Sequence, residues 1–408
     1  MKSKLISILL IFISITVSLI LLEIGVRLFL PPPPKLFENY DDTYICSTNM
    51  GWTGRPNYQG QLTREEYDHP IQFNQIGMYD TDHALEKPAD TFRILWVGDS
   101  FAQALQVDET ETAHQQVENL LNERLGNEQK QFEVISTGVM GWGTGQQLSH
   151  YRELGRRYQA DLVLLLFFMG NDVNNNLPGH ALTIDGFNCF TPYYPICDDE
   201  GLDPDAWSYI PGLAPAWGAC GVGQKWLAEG AGLIQRNSYL FARIEPLLLS
   251  WQERRMYGKD FELPFTALYL SDEEPEVRYG WQVTEGLLKQ FDAEVKADGS
   301  DFAITIIGPR EVMWLSQMTE MQHQSFYLSN PTLANAVIDY PNQRLRDYLE
   351  ELQIPHFDLQ PAMITYMSQT DADLYLPIDR HWTADGNRVA AELLVDWLVG
   401  AGLIEAME

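Results

Sequence analysis

An α/β fold, with a parallel sheet sandwiched between helices, is the architecture this sequence predicts; an apolar helix precedes it and an irregular insertion interrupts it. Three observations carry that expectation. From Phe92 onward, short apolar runs that read as strands alternate with longer stretches of helical periodicity, the pattern of repeated strand–helix–strand units. One of those runs, Leu162 to Phe168, is apolar at every position, as a strand covered on both faces is. Of the 408 residues, 45% are hydrophobic and 12% aromatic, enough to bury a sizeable core.

The chain begins Met1-Lys2-Ser3-Lys4 and enters an uncharged run from Leu5 to Leu22, interrupted only by Ser and Thr. A run of this length just suffices to cross a bilayer as a helix. Two lysines before it and Arg27 after it favour a cytoplasmic N-terminus, with the rest of the chain on the periplasmic or extracellular side. No small-x-small cleavage site follows, and the helical pattern continues through Leu30 until Pro31 to Pro34 stop it. Residues 1–30 are therefore expected to stay attached as a membrane anchor. The prolines form a stiff spacer. The remainder of 31–90 is rich in Tyr, Asn, Asp and Gly without periodicity, which predicts an irregular segment packed on the main domain.

The main domain is expected over 91–402. Phe92 to Val97 is its first strand, and a helix from Thr110 follows with Ala113, Val117, Leu120, Leu121 and Leu125 on one face. Phe132 to Ile135 is the second strand, Gln146 to Tyr158 a helix, and Leu162 to Phe168 the third strand. A helix near Trp281 to Val295 leads to the strand Phe302 to Ile307, and Pro355 to Leu359 reads as an edge strand. The last helix, Thr383 to Leu398, turns Val389, Ala390, Leu393, Leu394, Trp397 and Leu398 inward. The alternation lapses over about 177–277, an insertion rich in Gly, Pro and aromatics. Trp207, Trp217, Trp226, Tyr193 and Tyr194 there read either as sugar-stacking rings or as a small satellite core. Four cysteines, Cys46, Cys189, Cys197 and Cys220, allow two disulfides in three connectivities in an exported chain, with Cys189–Cys197, the shortest loop, the first pairing expected; four free buried thiols are the alternative, since a domain of this size folds without staples.

Charge excludes one class of partner. Lys and Arg number 27 against 57 Asp and Glu, and a formal charge of -30 repels phosphate backbones, so nucleic acid is not an expected ligand.

In open parallel sheets the ligand site lies at the carboxyl ends of the strands. The first strand ends in Gly98-Asp99-Ser100-Phe101, the second in Thr137-Gly138-Val139-Met140-Gly141-Trp142, and the third in Gly170-Asn171-Asp172. Asp379-Arg380-His381-Trp382 directly precedes the last helix. These residue types suit acyl transfer. A serine hydroxyl needs a base, and histidine has the pKa for it. A carboxylate on the far ring nitrogen fixes the tautomer. Backbone N–H groups at Ser100 and Gly141 and the Asn171 amide are the donors available for an oxyanion. Asp99 and Asp172 read as structural, holding loop backbone.

Gly98-Asp99-Ser100-Phe101, the glycine block around Gly141, Gly170-Asn171-Asp172 and Asp379-Arg380-His381 resemble, in order, the successive blocks of the SGNH/GDSL hydrolase superfamily. The resemblance covers roughly Phe92 to Asn175 and Asp301 to Leu398. It implies a flavodoxin-like three-layer α/β/α sandwich and places the four family site residues on Ser100, Gly141, Asn171 and His381. It differs in two respects: Phe101 stands where many members have leucine, and Asp379 lies two residues before His381 where many place the acid three before. Asp385 is the fallback acid. The spacing resembles that of members involved in polysaccharide acetylation.

The expected activity is therefore that of a serine esterase acting on an ester or acylated glycan through an acyl-Ser100 intermediate, with no metal or cofactor implied. An O-acyltransferase modifying an exported polysaccharide would use the same residues. A catalytically silent module that binds a glycan or a partner is the alternative of another class.

Overall fold

The computed structural model describes residues 2–30, 42–202, 238–240, 265–316 and 336–404, less a few short stretches within them. The chain opens with helix α1 (Lys2–Phe29). Leu19, Ile20, Leu21 and Leu22, which point in four directions round that helix, are all exposed. Near its end, Glu23 accepts hydrogen bonds from the Ser238 hydroxyl at 2.7 Å and from the N–H groups of Tyr239 and Leu240 at 2.9 Å, while Arg27 lies 4.5 Å from the Tyr239 ring centre. A piece of the insertion thus returns to α1. Among the described residues no helix is long and apolar enough to cross a membrane, so the spanning helix expected from the sequence gains no support here. The side chains at 5, 8, 9 and 12, within the apolar run, lie outside those described, as does the proline spacer.

The segment before the main sheet is not irregular, and here the sequence expectation is corrected. Strands β1 (Tyr44–Ser47) and β2 (Gly51–Gly54) form one antiparallel hairpin, and β3 (Gln59–Thr63) and β4 (Asp68–Gln72) a second. Strands this short, one of them Gly-Trp-Thr-Gly, hold too few side chains to show an alternating pattern. Tyr44 and Trp52 of the first hairpin, with Phe73 and Tyr79 just after the second, gather into a small core with Val139 and Trp142 of the main domain.

The main sheet begins at β5 (Thr91–Gly98), which runs into the single turn α2 (Ser100–Gln103) and then α3 (Ala113–Leu125). Next come β6 (Gln131–Ser136), α4 (Thr144–Glu153), β7 (Leu162–Phe168) and the short α5 (Asp172–Asn175). The insertion holds two hairpins, β8 (Ala181–Ile184) with β9 (Phe187–Phe190) and β10 (Ile196–Cys197) with β11 (Gly201–Leu202). After it follow α6 (Pro275–Ala297), β12 (Asp301–Ile307), α7 (Arg310–Ser316) and α8 (Tyr340–Glu351). Strand β13 (His356–Asp358), α9 (Leu359–Thr370) and α10 (Ala384–Gly400) end the domain. Helices α7, α8 and α9 were not expected from the sequence.

All five sheet strands are parallel, in the spatial order β13-β12-β7-β5-β6. Renumbered along the chain this is 2-1-3-4-5, the flavodoxin-like order, whose direction reverses between β5 and β7. Side chains alternate across the sheet. Leu95, Val97, Val163, Leu165 and Ile304 face α4, α6 and α8, while Ile94, Trp96, Leu164 and Leu166 face α3, α9 and α10. Each such buried side chain contributes roughly 1.5–3 kcal/mol through removal of apolar surface from water.

A disulfide joins Cys46 in β1 to Cys189 in β9, Cα to Cα 5.4 Å, in place of the expected Cys189–Cys197 pair. Spatial packing decides this. The first hairpin lies against β8 and β9, so a cysteine distant in sequence becomes the near neighbour. Cys220 lies outside the described residues.

In the loop that leads from the second hairpin to the sheet, a buried ionic cluster fastens the N-terminal segment to β5 and β6. Asp80 accepts the Ser136 N–H at 2.7 Å and lies 3.1 Å from His83, whose other ring nitrogen is 2.7 Å from Glu133; Glu133 also takes the Arg93 guanidinium at 2.7 Å. Burial by itself pushes the His83 pKa down, but the bonds to Asp80 and Glu133 and their charges outweigh it and hold the imidazolium up to about 10. A pKa raised on folding means stabilisation that is whole below the unfolded value of about 6.5 and is lost as pH climbs through the folded one. The thermal midpoint of the full chain in detergent is therefore expected to fall between about pH 6.5 and 10. In His83→Gln it should start lower and decline much less over that window, a difference that far-ultraviolet circular dichroism melts will read.

Candidate active site

Ser100 is the first residue of α2, and the local sequence explains its position. The Asp99 side chain caps that turn by accepting the Phe101 N–H at 2.9 Å, so the chain swings from strand to helix at the serine. Ser100 is 7% exposed, at the carboxyl end of β5 beside the point where the strand order reverses.

His381 lies two residues before the Thr383 cap of α10, whose hydroxyl accepts the Gly386 N–H at 3.0 Å. The chain before it folds back on itself. Leu376 N–H donates to the His381 carbonyl at 2.8 Å, and Arg380 N–H to the Leu376 carbonyl at 3.0 Å. Arg380 at the bend has φ 74°, in the left-handed region. That conformation turns Asp379 back onto the imidazole although only one residue separates them. His381 Nε2 stands 2.7 Å from Ser100 Oγ, and Nδ1 stands 2.5 Å from Asp379 Oδ1. Burial pushes the Asp379 carboxyl up, but the His381 hydrogen bond and charge and the Tyr67 hydroxyl outweigh it and hold the carboxyl below the usual range. Asp385, the fallback acid, is on the first turn of α10 and pairs with Arg388 at 3.2 Å instead.

The loop after β6 forms the opposite wall. Gly138 allows it to approach α2, since a Cβ there would sit 2.4 Å from the Gln103 nitrogen. Gly141 has φ 72°, and the peptide that follows it is held at its carbonyl, which accepts from Asn175 Nδ2 and His180 Nε2, both at 2.9 Å. Burial pushes the His180 pKa down to about 4, so at neutral pH this ring is an uncharged donor to that carbonyl. The flanking groups are also held. Met140 N–H donates to Gln103 at 2.9 Å, Trp52 Nε1 donates to the Met140 carbonyl at 2.8 Å, and Trp142 N–H to Val139 at 3.1 Å. The Gly141 N–H is left without a partner among the described residues. It is the donor this turn has available for an external oxygen.

Asn171 follows β7 and donates its side-chain amide to Asp99. Asp99 and Asp172 form a buried acidic pair under this wall. Burial raises both carboxyls, Asp172 well above its ordinary value with the neighbouring Asp99 charge adding to the effect. Asp172 accepts the Phe168 N–H at 2.8 Å, so both acids hold loop backbone.

Ser100, His381 and Asp379 thus meet in one hydrogen-bonded series, with Gly141 and Asn171 following the neighbouring strands. Sequence reasoning missed Tyr67, Glu66, Trp52, Gln103, Asn175 and His180, which hold these groups. The run Asn174-Asn175-Asn176 after the asparagine block was one available signal, since buried amides clustered at a strand end mark loop-holding residues. Tyr67 and Trp52 carried none. The insertion aromatics Tyr193, Tyr194, Trp207, Trp217 and Trp226 lie outside the described residues.

No protein-family model matches the chain, and no curated protein matches it. Among solved structures it is similar to the acetyl xylan esterase AlAXEase, at 10% identity and TM-score 0.37, over 75% of this chain and 100% of that one. A lipase/acylhydrolase from Enterococcus faecalis matches at 12% identity and TM-score 0.36, over 78% and 98% of the two chains. A catalytic mutant of Axe2, an acetylxylan esterase from Geobacillus stearothermophilus, matches at 10% and 0.38, over 79% and 99%. At such identities and TM-scores these likenesses decide nothing about activity, which rests on the geometry above.

Proposed function

We propose that this chain is a serine esterase that cleaves an ester through an acyl-Ser100 intermediate resolved by water. We propose further that its N-terminal helix holds it to a membrane with the site on the periplasmic or extracellular side. The observation that carries the first reading is the unbroken series Asp379–His381–Ser100, at 2.5 and 2.7 Å, together with a Gly141 N–H that has no partner among the described residues.

In this reading His381 takes the Ser100 proton as Oγ attacks the acyl carbonyl, and Asp379 holds the Nδ1–H tautomer and stabilises the imidazolium. The Gly141 N–H receives the oxyanion, with the Asn171 amide hydrogen not given to Asp99 and the Ser100 N–H, shared with Asp99, as the further donors. The imidazolium then protonates the departing alcohol. In the second half water attacks the acyl carbon as His381 takes its proton, and the imidazolium returns that proton to Ser100 Oγ as the acid leaves. The anchoring reading is supported by the uncharged run from Leu5 to Leu22 and by the exposed apolar side chains round α1.

The test is intact mass of the full chain in detergent after exposure to a fluorophosphonate. One adduct, absent in Ser100→Ala and His381→Ala, is the expected result, followed by turnover on a panel of simple esters and acetylated sugars. A folded chain that stays unlabelled overturns the reading and leaves a binding module in its place. For the anchor, the chain should stay in the membrane fraction after an alkaline wash and leave it when residues 1–30 are deleted.

A further inference from the structure

We propose that Tyr67, at the tip of the β3–β4 hairpin and outside the α/β sandwich, is a positioning residue for the reaction: its hydroxyl orients Asp379 and, through it, His381. The proposal rests on the reading of Ser100 as nucleophile. The Tyr67 hydroxyl donates to Asp379 Oδ2 at 2.7 Å while Oδ1 of the same carboxylate faces His381 at 2.5 Å. Both oxygens are thereby engaged, which fixes the rotation of the carboxylate about its own axis. The residue before Tyr67 holds the same acid by its backbone. Glu66 accepts the N–H groups of Ile378 at 2.9 Å and Asp379 at 2.6 Å, one on each carboxylate oxygen. Two consecutive side chains of one hairpin turn therefore grip Asp379 at side chain and main chain.

Such a grip answers a need of this particular loop. The acid reaches His381 from two residues away only because Arg380 adopts a left-handed φ of 74°, a conformation that a side chain disfavours and that its surroundings must maintain. Arg380 itself points elsewhere, to Glu311 at 2.8 Å, and gives the carboxylate no support. The hairpin tip is itself braced: Arg64 N–H donates to the Tyr67 carbonyl at 2.8 Å, and Asp68 accepts from Gln61 and Thr63 at 2.7 Å. Among the described residues, the charged and titratable groups that face the Asp379–His381 pair are Tyr67 and Glu66 from the hairpin and Asp99 from the turn that carries Ser100.

The test compares wild type with Tyr67→Phe, which keeps the ring and deletes one oxygen, as full chains in detergent. Kcat for p-nitrophenyl acetate is expected to fall about tenfold with KM unchanged, the scale of one hydrogen bond to a charged group. The acid limb of kcat/KM should move to higher pH, because a carboxylate relieved of one donor holds the imidazolium proton more tightly. The far-downfield proton resonance of the Asp379–His381 hydrogen bond should also change position. Glu66→Gln, which leaves the phenol in place and removes a negative charge facing the pair, should not move that limb to higher pH. Unchanged rate, limb and resonance overturn the proposal. So does a loss of rate equal at every pH with the resonance unmoved, which is what mere packing would give. If wild type itself neither labels nor turns over, the Ser100 reading fails separately, and the resonance alone decides whether Tyr67 orients the pair.

Discussion

Ser100→Ala is expected to lower kcat for ester hydrolysis by about 10⁶-fold, close to 8 kcal/mol of lost transition-state stabilisation, with KM little changed. The size follows from what the hydroxyl does and not from what it holds. Ser100 Oγ makes its close contact with His381 at 2.7 Å, while its distance to Asp99 is 3.5 Å, so its removal breaks no bond on which the fold depends. The Asp99 cap acts on the Phe101 N–H and is independent of the hydroxyl. The variant should therefore melt with the wild type, and the loss should be chemical. It should not be total: the Gly141 N–H remains in place, and donors of this kind leave a residue of about 10³-fold over water. His381→Ala should match Ser100→Ala within about tenfold, since residues that act as one unit are not additive. Single-turnover kinetics on an activated ester measure both. A drop of tenfold or less in Ser100→Ala would show that the serine is not the nucleophile.

How much of this could be read from the sequence depends on how far each feature reaches along the chain. The sheet was legible because each of its strands concentrates its signal: Leu162 to Phe168 is apolar throughout, and burial on both faces leaves no other choice. The placement of Ser100, Gly141, Asn171 and His381 at strand ends or just before a helix cap was legible for a related reason. What could not be read is what comes from elsewhere to meet them. Tyr67 and Asp379 are 312 residues apart, and Trp52 and Met140 are 88 apart; no local pattern encodes either contact. The wrong disulfide expectation has the same cause, because loop length ranks Cys197 first for Cys189 while packing brings Cys46 to it across 143 residues. The unexpected α9 is different. Its Leu-Gln-Pro-Ala-Met-Ile-Thr-Tyr-Met run includes a proline and two β-branched residues, which blur helical periodicity.

The same facts change what the N-terminal segment is for. Residues 42–72 lie outside the sandwich, yet their first hairpin holds the loop that carries Gly141, and their second holds the loop that carries Asp379. Tyr44 extends this further: its hydroxyl donates at 2.7 Å to the Gln103 oxygen that also receives the Met140 N–H. The disulfide ties the first hairpin to the insertion hairpin close to His180, which supports Gly141 from the other side. The sandwich places the candidate catalytic groups at its strand ends, and the added hairpins hold the two loops that carry Gly141 and Asp379.

Asp379→Asn is the second large effect expected, about 10⁴-fold in kcat. Glu66 holds the backbone N–H of residue 379 whatever its side chain, so the substituted amide stays beside the imidazole. Its charge is gone, which removes the stabilisation of the imidazolium formed as Ser100 attacks. The Tyr67 hydroxyl, donating as it now does at 2.7 Å, draws the amide carbonyl toward itself and leaves the NH₂ group facing Nδ1. An NH₂ group there donates to Nδ1 and forces the ring proton onto Nε2, where it blocks acceptance of the serine proton. Adding Tyr67→Phe removes the preference for that orientation, so the double variant should lose less than the product of the two single losses. PH profiles of kcat for the four proteins measure this coupling. If Asp379→Asn instead keeps a tenth or more of wild-type kcat, Asp379 does not orient His381 in catalysis, and the 2.5 Å contact is structural.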